Sequence, residues 1–292
     1  MKTAVLVAGI GVLAGVCGVK GVAFAQNRTA GDAPVTRLPA EQAAPFDLTG
    51  YWVSIVTEDW RWRMLTPPRG DVTSVPLNAQ GIKVANNWNP AEDGSCKAYG
   101  MAGLMRMPTD LHISWTTPNI LRIETDWGEQ TRLLYFAPGD IPQRGPSLQG
   151  RSLAVWEQPI PLAIGAAPRG AGALDLDGNP VIARGGQNVG PPRRPDPEAA
   201  GDLKVVTNNL MPAWLRRNGV PYGAQTTVTE YYKTFDDQLG REWFDVFTIV
   251  NDPEYLSAAF VTSSDYRQLQ DDSSWSPHPC MADSERQSDG SE

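Results

Sequence analysis

Thr227-Val228-Thr229-Glu230-Tyr231-Tyr232-Lys233-Thr234-Phe235, then Asp236 to Gly240, then Glu242-Trp243-Phe244-Asp245-Val246-Phe247-Thr248-Ile249-Val250 is the stretch that decides the fold class. β-Branched and aromatic residues fill both runs, and Asp and Gly punctuate the gap between them, so the stretch predicts a β-hairpin whose first strand starts at Gln225. Side chains on a strand point alternately to opposite faces. Glu230 therefore shares a face with Val228 and Tyr232, Tyr231 lies on the other with Thr229, and Asp245 shares a face with Trp243 and Phe247.

Outward from the hairpin, similar runs recur at Thr49 to Thr57, Leu111 to Thr116, Ile120 to Thr125, Gln130 to Phe136, Ser152 to Glu157, Leu203 to Asn208 and Ala258 to Ser264. About nine strands at short, regular spacing predict an all-β protein, as an up-and-down antiparallel barrel in preference to a sandwich. Trp60-Arg61-Trp62-Arg63-Met64 continues the alternation of the first run, with the two tryptophans and Met64 on one face and both arginines on the other, until Pro67 and Pro68 stop it. One short helix is expected: Leu77 to Trp88 has apolar or small residues at 77, 81, 84, 85 and 88, with Asn78 as a cap. From Pro159 to Gly201 the chain is rich in Gly, Pro, Ala and Arg without period, which predicts a long loop insertion.

Lys2, the apolar run Ala4 to Val16 and Ala23-Phe24-Ala25 read together as a secretory signal peptide, residues 1–25, cleaved after Ala25. The apolar run falls short of the roughly 20 residues that cross a bilayer. No later stretch comes close, so no membrane span is expected. Val16 before Cys17 argues against a lipid-attachment signal, and Gly9-Ile10-Gly11 leaves with the peptide. Residues 26–45 read as a flexible leader, 46–282 as a single barrel domain and 283–292 as a disordered tail. The expected location is periplasmic or secreted. There Cys96 and Cys280, the pair left after Cys17 is removed, should form a disulfide, a closure worth at most about 5 kcal/mol. Loss of Lys2 and Lys20 moves the formal charge from −8 to −10, an acidic balance that argues against nucleic acid and anionic lipid surfaces as partners.

Signatures of chemistry are sparse. Two histidines, His112 and His278, and the absence of C-x-x-C leave no metal site to expect. Asp175-Leu176-Asp177-Gly178-Asn179 lacks the ligand spacing of a calcium loop and reads as a polar turn. Gly145-Pro146-Ser147-Leu148-Gln149-Gly150 is not a nucleophile elbow, and no cofactor is expected. What remains is a set of polar side chains on otherwise apolar strands. His112 shares a face with Ser114, opposite Leu111, Ile113 and Trp115, so it either lines a polar cavity or faces solvent. Asp245, if buried, needs a donor such as Arg132, and that pair would serve a site or simply the structure. Glu230 faces either a pocket or a solvated outer side. Ten tryptophans offer walls for an apolar or aromatic guest.

Gly50-Tyr51-Trp52 resembles the G-x-W signature of lipocalins, whose tryptophan plugs the closed end of an eight-stranded barrel. Longer stretches, Ser152-Leu153-Ala154-Val155-Trp156-Glu157, Gly201 to Leu210, Thr229-Glu230-Tyr231 and Asn251-Asp252-Pro253-Glu254-Tyr255, are similar to a broad group of secreted bacterial proteins of unassigned function, over most of the chain after Leu48. The resemblance implies a lipocalin-like, calycin-like barrel and brings no catalytic residues; the insertion after Glu157 departs from it. The leading expectation is an exported barrel that binds a small, largely apolar or aromatic molecule in its interior. Trp62, Trp115 and Trp243 would be the walls, and His112, Arg132, Glu230 and Asp245 the polar anchors. One alternative is a cofactor-independent isomerase, cyclase or lyase that moves a proton with His112, Asp245 or Glu230 and holds developing charge with Arg132. The other is an envelope interaction module that docks through 159–201.

Overall fold

Alternation along nine extended segments closes them into one barrel. The computed structural model describes residues 38–93, 96–157 and 202–280; the expected signal peptide, most of the leader, the 159–201 insertion and the tail lie outside the described residues. The barrel strands are β1 (Gly50–Ile55), β2 (Asp110–Thr117), β3 (Ile120–Thr125), β4 (Thr131–Tyr135), β5 (Arg151–Glu157), β6 (Asp202–Asn208), β7 (Thr227–Asp236), β8 (Glu242–Asn251) and β9 (Phe260–Gln268). Each pairs with its neighbours in sequence, and β9 closes on β1 from Trp52↔Gln268 to Ile55↔Asp265.

A ring of consecutive strands can alternate direction all the way round only when their number is even. Nine strands leave one parallel pair, β4 with β5, where Leu134 faces Ser152 and Tyr135 faces Leu153. This corrects the fully antiparallel expectation. The connection 136–150 has the length that a parallel return requires.

Inward-pointing side chains meet in one central cluster that includes Trp52, Leu111, Ile113, Leu203, Phe244 and Tyr266, each contributing roughly 1.5–3 kcal/mol by leaving water. At one end, which we call the amino-terminal end, Phe46, Trp115, Phe136 and Trp156 pack ring against ring, with centroids 5.3–5.5 Å apart. Trp52 Nε1 donates to Leu48 O at 2.9 Å, and Trp156 Nε1 donates to Ala40 O at 2.8 Å. The ordered chain is thus already anchored at Ala40, ahead of the Phe46 start expected. Aperiodic composition hides an anchor made of single hydrogen bonds.

The opposite end is closed by a second cluster. Val228, Val250 and Phe260 are covered by Met101, Ala102, Leu215 and Tyr222, from a helical turn at Met101–Leu104 and a ribbon of Ala213–Arg216 with Val220–Tyr222. Cys96 and Cys280 are bonded, with Cα atoms 5.4 Å apart. Together with the pairing of His278 to Trp127, this ties the last described residues to the barrel wall.

Two helices matter here. The α2 helix (Ala79–Asn87) forms as its period predicts, and the Asn78 side chain accepts from Gly81 N at 2.9 Å. Gly81 is required by close approach, because a Cβ there would lie 2.6 Å from Tyr255 O. The α1 turn (Trp60–Arg63) corrects the extended reading of Trp60 to Met64. Asp59 takes φ 51°, a left-handed conformation that Asp tolerates better than most residues, and ends the strand direction. Met64 N then bonds Trp60 O at 2.8 Å. Five residues are too few for a period of 2 to be told from one of 3.6. The burial is reversed as a result: Arg63 is buried while Trp60 and Met64 are exposed.

Candidate functional site

Two groups of buried charge lie along the barrel axis. In the centre, β4 turns Arg132 inward and β7 turns Glu230 and Tyr232 inward. Arg132 Nη2 donates to Glu230 Oε2 at 2.7 Å, and Arg132 Nη1 reaches Glu230 Oε1 and Tyr232 Oη at 3.2 Å each. Tyr232 Oη donates in turn to Glu230 Oε1 at 3.0 Å. Burial alone would lower the Arg132 pKa, but Glu230 and Tyr232 outweigh it and hold the guanidinium above its ordinary range. Burial and Glu230 push the Tyr232 hydroxyl well up. The triad is a bidentate pair with a bridging phenol, although Arg132 Nε is buried without a partner among the described residues.

The second group lies at the end opposite the amino-terminal plug, where β1 leaves the barrel and α1 turns back across it. Arg61, Arg63, Arg106, Arg216 and Arg217 converge there. Arg106 is paired, with Nη2 2.6 Å from Asp59 Oδ2 and Nη1 3.8 Å from Glu58 Oε1. Arg217 Nη2 donates to Arg63 O at 3.0 Å. Arg63 Nε donates to Arg106 O at 3.0 Å, but its Nη1 and Nη2 are buried and bond nothing among the described residues. All three guanidinium nitrogens of Arg216 are in the same condition. The Trp62 ring lies 5.1 Å from its guanidinium carbon, and the Asp59 and Asp71 carboxylates partly offset its burial without a hydrogen bond. Burial, reinforced by Arg106, lowers the pKa of both, that of Arg216 to about 10. Arg216 therefore stays charged at neutral pH. Buried cations without hydrogen-bond partners cost several kcal/mol, and Arg216, with three nitrogens unused among the described residues, is equipped to receive an acceptor-rich anion.

The residues expected to line one interior site are dispersed. Arg132 and Glu230 do meet in the lumen, but there they bond each other, not Asp245. Trp115 turns inward at the amino-terminal end and lines a cleft of about 360 Å³ with Phe46 and Thr49. Trp62 sits outside the strands on α1, its Nε1 donating to Asp71 Oδ2 at 3.0 Å. Trp243 faces outward, stacked with Phe235 at 6.2 Å and bonded to Asp237. His112 also faces outward, with Nδ1 3.0 Å from Glu124 Oε2 and its ring stacked 4.5 Å from Tyr51. Asp245 is outside too, opposite Asp265; burial, then the Asp265 and Glu58 charges, raise its pKa. Trp62, Trp243, His112 and Asp245 are thus corrected as lumen residues: each occupies the outward parity of its strand or lies beyond it.

Side chains of the central cluster pack inside the lumen. Four clefts of about 310–480 Å³ open on the outside, and none of these is lined by a buried member of that cluster. Among the described residues, no three His, Cys, Asp or Glu side chains are grouped to hold a metal ion, and no helix is long and apolar enough to cross a membrane.

What fold and site define is a closed nine-stranded barrel with a paired ionic core and an arginine-rich, partly unpaired end. No family model, no curated protein and no solved structure matches the chain. Sequence reading missed Arg63, Arg106 and Arg216. The signal available was local: Trp60 to Arg63 and Arg216-Arg217 concentrate guanidinium groups in a chain that is acidic overall.

Proposed function

We propose that the protein is an extracytoplasmic binding protein in which the barrel is a rigid scaffold and the ligand, a small anion, is held at the arginine-rich end. The observation that carries this reading is Arg216, buried with all three guanidinium nitrogens lacking hydrogen-bond acceptors among the described residues. A planar fork beside the Trp62 indole suits a carboxylate or phosphate attached to an apolar body. The amino-terminal secretory pattern and the Cys96–Cys280 bond support the compartment. The reading keeps the binding role expected of the barrel and moves the site from its lumen to its end. A proton-transfer enzyme in the lumen is less well supported, because Glu230 is committed to Arg132 and both are buried.

Phenyl phosphate is a suitable first probe. Titrated into the mature protein, it should change tryptophan fluorescence saturably, through Trp62, and raise the Tm; at about 100 times Kd the stabilisation is roughly 2.7 kcal/mol. Arg216→Met should abolish both effects. The reading fails if small organic anions leave the Tm unchanged, or if the Arg216→Met protein responds as the parent does.

A further inference from the structure

The ring plug at the amino-terminal end of the barrel borders a cleft. Its four rings form an arc in the order Phe46, Trp156, Phe136, Trp115, each 5.3–5.5 Å from the next. The two inner rings have a ring neighbour on either hand, whereas Phe46 and Trp115 have one each among the described residues. Both end rings line the same cleft of about 360 Å³, so the arc bends back around a shared space. The rest of the lining is Glu41, Ala44, Asp47 and Thr49, which makes two carboxylates and no basic side chain. Asp47 Oδ1 accepts from Thr49 N at 2.8 Å, and neither carboxylate has an ion-pair partner among the described residues. The wall that carries them is pinned at both ends. Ala40 N donates to Asn119 Oδ1 at 2.9 Å and Glu41 N to Pro118 O at 3.0 Å, while Leu48 O accepts from Trp52 Nε1 at 2.9 Å. Negative charge continues past the rim. Glu242 on β8 lies opposite Asp236 on β7, and burial, then the Asp236 and Asp47 charges, raise its pKa. Asp236 and Glu242 line the neighbouring cleft with Arg241 and Arg267, but those arginines rest against Trp243, each 6.0 Å from its ring.

We propose that this cleft is a second binding site, for a small organic cation whose methylated ammonium head packs against Phe46 and Trp115 and is neutralised by Glu41 and Asp47. Aromatic faces attract a cation through the ring quadrupole, Trp most strongly, and carboxylates at the rim supply the opposite charge. A neutral apolar guest would leave those carboxylates without a counter-charge, and a hydrated metal ion would gain nothing from the rings. An ammonium that carries methyl groups uses both. A phosphate or carboxylate close to the nitrogen works against binding, because Glu41, Asp47 and Glu242 repel it. The cleft is of a size for a small head group, and the formal charge of −8 draws cations toward the chain. This site lies at the end of the barrel opposite the anion site proposed above, and neither depends on the other.

The test titrates three probes into the disulfide-bonded protein at neutral pH by calorimetry: choline, phosphocholine, and dimethylbutanol, in which carbon replaces the choline nitrogen. Choline should bind with a Kd below about 10 mM, and about tenfold or more tighter than either of the others. Saturating the aromatic protons of the protein should pass magnetisation to the choline methyl signal in NMR spectra. In the Glu41→Gln, Asp47→Asn double variant the altered side chains are exposed, and Asn keeps an oxygen for Thr49 N. That variant should melt as the parent does, bind choline as weakly as dimethylbutanol, and lose the NMR transfer. A choline Kd above about 10 mM in the parent, or choline binding of parental strength in the double variant, would overturn the site. Equal affinity for choline and dimethylbutanol would overturn the cation. Displacement of choline by sodium at equal concentration would overturn the part given to the rings. Phosphocholine binding as tightly as choline would overturn the free cation in favour of a lipid head group.

Discussion

Arg132 at the centre of the barrel and Arg216 at its end are buried to nearly the same degree, 1% and 5% exposed, yet they occupy opposite electrostatic conditions. Arg132 meets a carboxylate through two nitrogens and a phenol through one of them. Arg216 has an indole face and no hydrogen bond. Their pKa values move accordingly, the first up through its partners and the second down through burial and Arg106. Depth of burial is thus no guide to role. A paired buried charge finishes a structure; an unpaired one is a cost that the fold carries for something outside itself, and a ligand is the simplest candidate.

The contrast is broken most forcefully at the centre. Arg132→Met leaves Glu230 buried without its cation, and losing one member of such a pair costs about 3–5 kcal/mol. Urea unfolding should show a large fall in midpoint with an unchanged slope. Adding Glu230→Leu should recover most of the loss, since a pair removed together leaves no stranded charge. A single variant within about 1 kcal/mol of the parent would mean that the triad is solvated or rearranged.

At the other end the same chemical change should act with opposite sign. Arg216→Met removes a desolvated charge that no acceptor balances, and the ligand-free protein should gain about 1–3 kcal/mol, less whatever stacking on Trp62 is lost. The pH dependence follows from the depressed pKa. The unfolded chain holds the Arg216 proton more tightly than the folded one, so the parent regains this part of its stability only as pH rises above about 10. The advantage of the variant should therefore be constant between about pH 6 and pH 8 and shrink above about pH 10. Destabilisation by Arg216→Met at neutral pH would show that the guanidinium has a structural partner, and the site would lose its warrant.

Much of the scaffold was legible in the sequence because strand parity is local. Val228, Glu230 and Tyr232 can be assigned to one face from spacing alone, and so can Phe244 and Val246; burial places all five inside. Parity does not say which face is inner, however, so Asp245 and Glu230, both polar among apolar neighbours, were indistinguishable until ring closure turned one out and the other in. The parallel β4–β5 pair follows from an odd strand count, which depends on every strand being recognised. The arginine end was the least legible part. It joins residues 58–71, 101–107 and 213–218, and its decisive turn depends on one left-handed residue, Asp59, at which a pattern of alternating Trp and Arg changes from strand to helix.

The mildest test sets an unbalanced charge where water can reach it. Asp245 and Asp265 face each other across β8 and β9 on the outer wall, with Glu58 nearby, and like charges directly opposite are unfavourable. The raised pKa of Asp245 means that the folded protein holds this proton more tightly than the unfolded chain. Its stabilising contribution is present below the unfolded value and is lost as pH rises through the folded one, so at neutral pH the ionised group is a liability. Asp245→Asn should raise stability at about pH 7 by a few tenths of a kcal/mol, held small because the carboxyl is only partly buried and the charges are screened. The gain should vanish near pH 3, where the parent side chain is already neutral, and diminish in about 1 M salt. Paired melting curves at the two pH values decide it: a loss of stability at pH 7, or a gain indifferent to both pH and salt, would mean that burial and repulsion together do not raise the Asp245 pKa.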